Sequence, residues 1–470
     1  MYSQHSLFRS FDFFVVPLCF IIILMFFTIV VKKYKDEKIK RLFLFAFYFK
    51  MACVLVFALL NTFYYKGGDS EMYFNCTEYL HDAVIENSDN FLKIYQTKGI
   101  SVKSPLMDYF IYKDTDYPVF EAMHDAGNFM VPKFGLPFML VFGKSYLTTA
   151  MFFALFALGG AIRLFKTFYH YFPQYWREIA FATLFLPSVN YWSSGVLKDS
   201  ICFGAVGYIM YGFLNIFILK KRYFNSLVFI SVSILLLFYI KIYILLALSP
   251  GIVLWLFSEL NKSVENKTLR SIMSVLTFIG GTILGLLLVN YATSEESLKA
   301  FRLDALVETS SNSRAIYEDI AKTNTGAYFS LGTSNPFLLI PFGIVATLFR
   351  PFIWEVNGVT ALLSALEALL FFYFTIKYFF KIGFFSFFKN AFKKPILILC
   401  FVFSIVFAIA IGSTALNFGS LSRYKIPCLP FYLVMVMVMS REAGLSNPKW
   451  LNRILGYRVH QKPVDRTLLS

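Results

Sequence analysis

Charge is scarce in this sequence: 15% of its 470 residues are Asp, Glu, Lys or Arg, against about 25% in soluble domains. That scarcity excludes an ordinary soluble globular chain. Cysteine is scarce as well. The six cysteines are scattered, and all but Cys76 lie in or beside apolar runs, so neither a disulfide framework nor a C-x-x-C metal site is expected. The five histidines (His5, His81, His124, His170 and His460) show no ligand spacing, and no metal or other cofactor is implied. No Gly/Ser linker, low-complexity tract or clear internal repeat divides the chain, so residues 1–470 form a single membrane domain. The first apolar run, FDFFVVPLCFIIILMFFTIVV, ends in KKYKDEKIKR rather than in a small-residue cleavage site. It should stay as a span.

What the chain has in abundance is apolar length. Hydrophobic residues make up 58% and aromatics 20%, in runs from Phe11 to Met439 long enough to cross a hydrocarbon core about 30 Å thick. The expected fold is an all-α, polytopic transmembrane bundle. Basic clusters mark cytoplasmic loops: 32–41, 163–178, 220–222, 261–270, 377–394 and the tail 441–470. These clusters also account for the net charge of +16 without a nucleic-acid partner. Fitted between them, spans fall near 12–31, 42–63, 145–166, 178–193, 198–219, 225–240, 243–258, 271–291, 357–380, 395–415 and 426–440, about 11 in a range of 10–13. The N-terminus is then extracytoplasmic and the C-terminus cytoplasmic, with large outward loops at 64–144 and 292–356. The run 336–352 reads as an interfacial or re-entrant helix, tolerated where it lines a protein-covered cavity. The run 227–257 is too long for one span and turns at Lys241.

On this path, ionisable residues gather at the outer ends of spans: Asp69 and Tyr73 in GGDSEMY, Lys198–Asp199, Lys241, Arg350, Trp354 and Glu355 in RPFIWE, and Arg423 and Lys425 in LSRYK. Ionisable groups at membrane depth are costly and usually face a polar cavity. Each also has a plainer explanation. Asp69 could cap a Gly67–Gly68 turn, Lys198 and Asp199 could pair with each other, Lys241 could snorkel, Trp354 could belong to an interfacial aromatic belt, and Arg423 and Lys425 could be helix-end charges. Arg350 and Glu355, five residues apart, need not pair. Arg163 lies on the inner face and should tolerate substitution.

Several cations with one or two carboxylates at the outer interface suit an anionic, lipid-borne substrate. Arginine forks onto phosphate oxygens and lysine adds point charge. A polyprenyl-diphosphate-linked sugar has that form, with membrane lipids as its surroundings. Cations would stabilise the departing diphosphate, and Asp69 could take the proton of the attacking sugar hydroxyl.

An acidic residue in the first outward loop, here GGDSEMY, resembles the GT-C-type membrane glycosyltransferases. The overall plan is similar to that of O-antigen and exopolysaccharide polymerases of the bacterial envelope, and WSSGVLKD, RPFIWE and SRYK look like patterns in proteins grouped near them. The resemblance implies Asp69 as the catalytic acid-base position, Arg350 and Arg423 as phosphate-gripping arginines, and polysaccharide-assembly proteins as partners in the inner membrane. The sequence departs from the family in having GDS where a paired-acid form is common. Two other classes stay open: a transporter or flippase of a lipid-linked anion, and a non-enzymatic envelope-assembly protein. Glu367, mid-span, fits a packing role or a proton relay, and Gly281–Gly285 fits close helix packing.

Overall fold

The structure is a computed structural model that describes residues 7–101, 104–111, 122–263, 335–356, 358–415 and 417–457, with 276, 279 and 280. All but three residues of the expected span 271–291, most of the loop 292–356 and the Gly281–Gly285 pair lie outside the described residues. The described chain is all-helical, in order α1 (Asp12–Lys32), α2 (Glu37–Leu59), α3 (Asp69–Glu86), α4 (Asn90–Gln96), α5 (Met107–Ile111), α6 (Ala126–Phe142), α7 (Tyr146–Tyr171), α8 (Trp176–Leu184), α9 (Pro187–Trp192), α10 (Lys198–Phe213), α11 (Tyr223–Leu260), α12 (Pro336–Phe349), α13 (Val359–Ile382), α14 (Phe384–Ala391), α15 (Pro395–Thr414), α16 (Phe418–Tyr424), α17 (Leu429–Glu442) and α18 (Lys449–Ile454). Among the described residues seven helices are long and apolar enough to cross a membrane, or eight if the bent pair α16–α17 counts as one. This is a membrane protein.

The core is the parallel pair α7 and α10. Gly160 meets Gly204 and Gly207 so closely that a Cβ built on Gly207 would sit 2.0 Å from the Gly160 carbonyl oxygen. Small residues let helix backbones touch where lipid offers no hydrophobic drive to association. Gly343 of α12 and Gly412 of α15 make a second contact of the same kind, so one face of 336–349 is held against a long apolar helix while Phe337, Leu338, Ile340 and Phe342 on it are exposed.

Three elements differ from simple spans. The stretch expected as one span over 178–193 is broken into α8 and α9, because Pro187 at the first turn of α9 has no N–H to continue the ladder. Asn190 mends the break by donating to the carbonyls of Leu184 and Leu186 at 2.9 and 3.0 Å. The stretches expected over 225–240 and 243–258 are the two helical halves of α11, separated as expected by a kink at Lys241, whose backbone is non-helical (φ −152°, ψ 73°). The span expected over 426–440 is the longer half, α17, of a pair with α16 bent by 69°. Within the expected outward loop 64–144, the 17-residue α6 packs antiparallel on α7 through Phe134 with Phe156 and Phe138 with Phe152.

Two spans end alike. LNTFYYK (60–66) and LNIFILK (214–220) each close with a π turn, a buried Asn at its second position and a lysine of positive φ (55° at Lys66, 49° at Lys220). The tail expected over 441–470 is partly packed. Buried Glu178 accepts from Asn447 Nδ2 at 2.9 Å and Tyr457 OH at 2.9 Å, with Arg441 Nε 3.3 Å away.

Candidate functional site

Asp199 explains why Lys and Asp stand side by side at the head of α10. The two are not a turn and do not pair with each other. They are the first residues of the helix, where the N-terminal dipole favours a carboxylate. The loop before them is fastened: Val196 N donates to Ser70 Oγ at 3.0 Å, Ser70 Oγ bonds Tyr146 OH at 2.8 Å, and Ser200 Oγ donates to Gly195 O at 2.7 Å. Lys198 turns aside to Asp125 at 3.3 Å. The Asp199 side chain is 2% exposed and holds two cations, Lys241 Nζ at 2.5 Å on Oδ1 and Arg423 Nε on Oδ2.

Each partner arrives by a local irregularity. Lys241 comes from the break in α11, where a Cβ on Gly127 would press against the carbonyl oxygens of Tyr239 and Ile240 at 2.8 and 3.0 Å. Only a glycine fits there. Lys241 does not snorkel; it is buried and lies 4.3 Å from the Tyr424 ring centroid. Arg423 comes from the last turn of α16, whose start Asn417 caps by accepting from Gly419 N and Ser420 N. Its other arm donates to Asp69 Oδ2 at 2.6 Å. Asp69 opens α3 behind Gly67 and Gly68, whose φ of 116° and 142° only glycine adopts readily. Asp69 is therefore not a bare loop cap, and at 52% side-chain exposure it is the open edge of the cluster. Tyr73, one turn on, donates to Asn128 at 2.6 Å. Burial pushes its phenol above the ordinary range, so it stays a neutral donor.

Arg350, Glu355 and Lys425 form a second group. Arg350 and Glu355, which their spacing left free to pair or not, do pair, because the short helical turn Ile353–Glu355 closes the five-residue gap. Lys425 donates to the Arg350 carbonyl at 2.8 Å, which ties this group to the α16 turn that carries Arg423. Trp354 is 81% exposed and stacks on Phe352. It stands on the surface, as an interfacial anchor would, and not with the acidic cluster.

Sequence reasoning missed Lys50. It is buried inside α2 and donates to Asn190 O at 3.1 Å and Ser193 Oγ at 2.5 Å, at the C-terminal end of α9. Glu367 sits at the other end of the same short helix, accepting from Ser188 N at 2.6 Å and from Ser188 Oγ. A cation at a helix C-terminus and an anion at its N-terminus both match the macrodipole. Glu367 is thus a cap. Neither role could be read from the sequence without knowing that α9 begins and ends inside the protein.

The electrostatics differ from a bare cationic pocket. Asp69 and Asp199 balance Arg423 and Lys241, Asp125 balances Lys198, and Glu355 balances Arg350. An incoming anion must displace a carboxylate from one of these cations. The arm most open to exchange is Arg423 to Asp69, since Asp69 is half-exposed and Asp199 is enclosed. Among the described residues no three His, Cys, Asp or Glu side chains converge as metal ligands. No protein-family model, curated protein or solved structure matches this chain.

Proposed function

We propose that the chain is a membrane glycosyltransferase of polysaccharide-polymerase type, acting on polyprenyl-diphosphate-linked sugars at the extracytoplasmic face of a bacterial cytoplasmic membrane. In this reading the spans number about 11, the N-terminus is outside and the C-terminus inside. The observation that carries it is the Arg423 bridge between buried Asp199 and half-exposed Asp69, joining residues 224 and 354 positions apart. The lipid-linked diphosphate takes the Arg423 arm that Asp69 now holds, with Lys198 adding charge. Asp69, released, accepts the proton of the acceptor-sugar hydroxyl as its oxygen bonds to the anomeric carbon of the donor. The bond from that carbon to the diphosphate oxygen breaks, and the diphosphate leaves with the electron pair against Arg423. Asp199, itself fixed by Lys241, holds the guanidinium in place.

A flippase of the same substrate is the second reading. It is favoured by the discontinuous helices α8–α9, α11 and α16–α17, since transporters build ion and substrate sites from such breaks. Lipid analysis of an Arg423→Ala strain separates the two. The polymerase loses long surface glycan and accumulates single lipid-linked repeat units on the outer face, whereas the flippase accumulates them on the inner face. Normal glycan length in Arg423→Ala and Asp69→Asn strains with normal protein levels would remove both.

A further inference from the structure

A cavity of about 560 Å³ runs between α1, α6, α7, α10 and α11, well away from the Asp199 cluster. Its end is set by Asn215 in the π turn after α10. Sixteen residues separate Asn215 from Asp199, about 24 Å at the helical rise. Nearly half of its wall is aromatic, including half-buried Phe134, Phe138, Phe152 and Phe156, with exposed Phe26 of α1 and Phe229 of α11 at its edge. The Asn215 end is different in kind. Arg163, Lys166 and Arg222 line it, together with Asn215.

Among the described residues these three cations have ring faces and a carbonyl as partners. Arg163 lies 4.2 Å from the Tyr208 ring centroid and 4.8 Å from that of Phe229, and donates to the Gly159 carbonyl at 3.0 Å. Lys166 lies 4.6 Å from the Tyr34 centroid and 5.1 Å from that of Tyr211. Arg222 stands at the rim in a left-handed backbone conformation (φ 53°). Ring faces orient a cation but leave its charge in place. Among the described residues no carboxylate lies within ion-pair distance of any of the three. Asn215 supplies a separate sign. Asn215 is 2% exposed, and its Oδ1 has no hydrogen-bond partner among the described residues, a cost that a donor from a ligand or water would relieve. A partly aromatic trough that ends on cations with no carboxylate partner among the described residues fits one class of molecule, an amphiphile with a long apolar chain and an anionic head.

We propose that this cavity binds a membrane lipid with a phosphate headgroup: one chain lies along the aromatic trough, the phosphate sits on Arg163, Lys166 and Arg222, and a head hydroxyl donates to Asn215. The site is independent of the glycosyltransferase reading, and it reverses the expectation that Arg163 is dispensable.

The test is native mass spectrometry of the full chain titrated with dioleoyl phosphatidylglycerol, dioleoyl phosphatidylcholine, or inorganic phosphate. The wild type retains phosphatidylglycerol in preference to phosphatidylcholine by about tenfold or more, as expected for charge-assisted contacts, and inorganic phosphate does not displace it. Lys166→Gln and Arg222→Gln each abolish that preference while the protein stays monodisperse. Because Arg222 is exposed and lies between helices, its variant keeps the test decisive if Lys166→Gln fails to fold. Equal retention of the two lipids, an unchanged preference in a folded Arg222→Gln protein, or displacement by inorganic phosphate would overturn the proposal.

Discussion

Asp199 and Asp69 share an arginine but stand in different surroundings, and that difference predicts different phenotypes. Asp199 is enclosed with two cations, and removing one partner from a buried charge cluster costs about 3–5 kcal/mol. Asp69 is half-exposed, where a single pair contributes about 0–1 kcal/mol. Thermal unfolding in detergent should therefore show a large fall in Tm for Asp199→Asn and little change for Asp69→Asn. If the reaction runs through Asp69, the second variant nonetheless loses glycan assembly. Equal Tm losses would mean that Asp69 is structural. The residue types at this cluster were legible in the sequence, because charges in apolar surroundings stand out. Their pairing was not. Lys198 and Asp199 are neighbours in sequence, yet they reach different partners because successive residues leave a helix about 100° apart. Lys50 escaped notice because a lone lysine in an apolar run gives no sign of which carbonyls it serves.

At the scale of elements, apolar length predicted the long helices well: Asp12–Lys32, Tyr146–Tyr171, Val359–Ile382 and Pro395–Thr414 all coincide with expected spans. Breaks were harder to see. The turn at Lys241 was legible because one charge divides a run too long for a single crossing. The break at Pro187 was not, since the residues on both sides are apolar and the run has the length of one span. The π endings at Leu60–Tyr64 and Leu214–Ile218 follow a shared seven-residue pattern that stands out only once the two ends are superposed. Close packing offers a direct test. Gly207→Ala drives a methyl into the Gly160 carbonyl, an overpacking that costs about 1–3 kcal/mol. It should lower Tm measurably, whereas Gly444→Ala, which meets open space but carries a φ of 79°, should cost only its backbone strain. A tolerated Gly207→Ala would mean that α7 and α10 can separate.

For the whole molecule, the proposed topology makes a prediction about sidedness. The six cysteines are all free thiols, five of them buried and Cys53 partly so, which gives a low background for labelling in intact cells. A cysteine at exposed Ser88 should react with an impermeant maleimide from outside, and one at exposed Lys389 only after the membrane is opened. Reaction of both from the same side would end the outward placement of Asp69. The proposed orientation rests on the positive-inside pattern of short, numerous basic loops. It could not foresee that α6, within the expected outward loop, joins the helical body through stacked phenylalanines.

The short helix α9 has a mechanical consequence. Lys50 of α2 grips its C-terminal end and Glu367 of α13 its N-terminal end, and the residues that follow it lead straight into the loop presenting Asp199. If α2 shifts against α13, one anchor must let go or the strut must turn with them, dragging the Asp199 carboxylate across its two cations. A displacement felt at the lipid-facing side of either long helix therefore reaches the charge cluster through six residues acting as a crank.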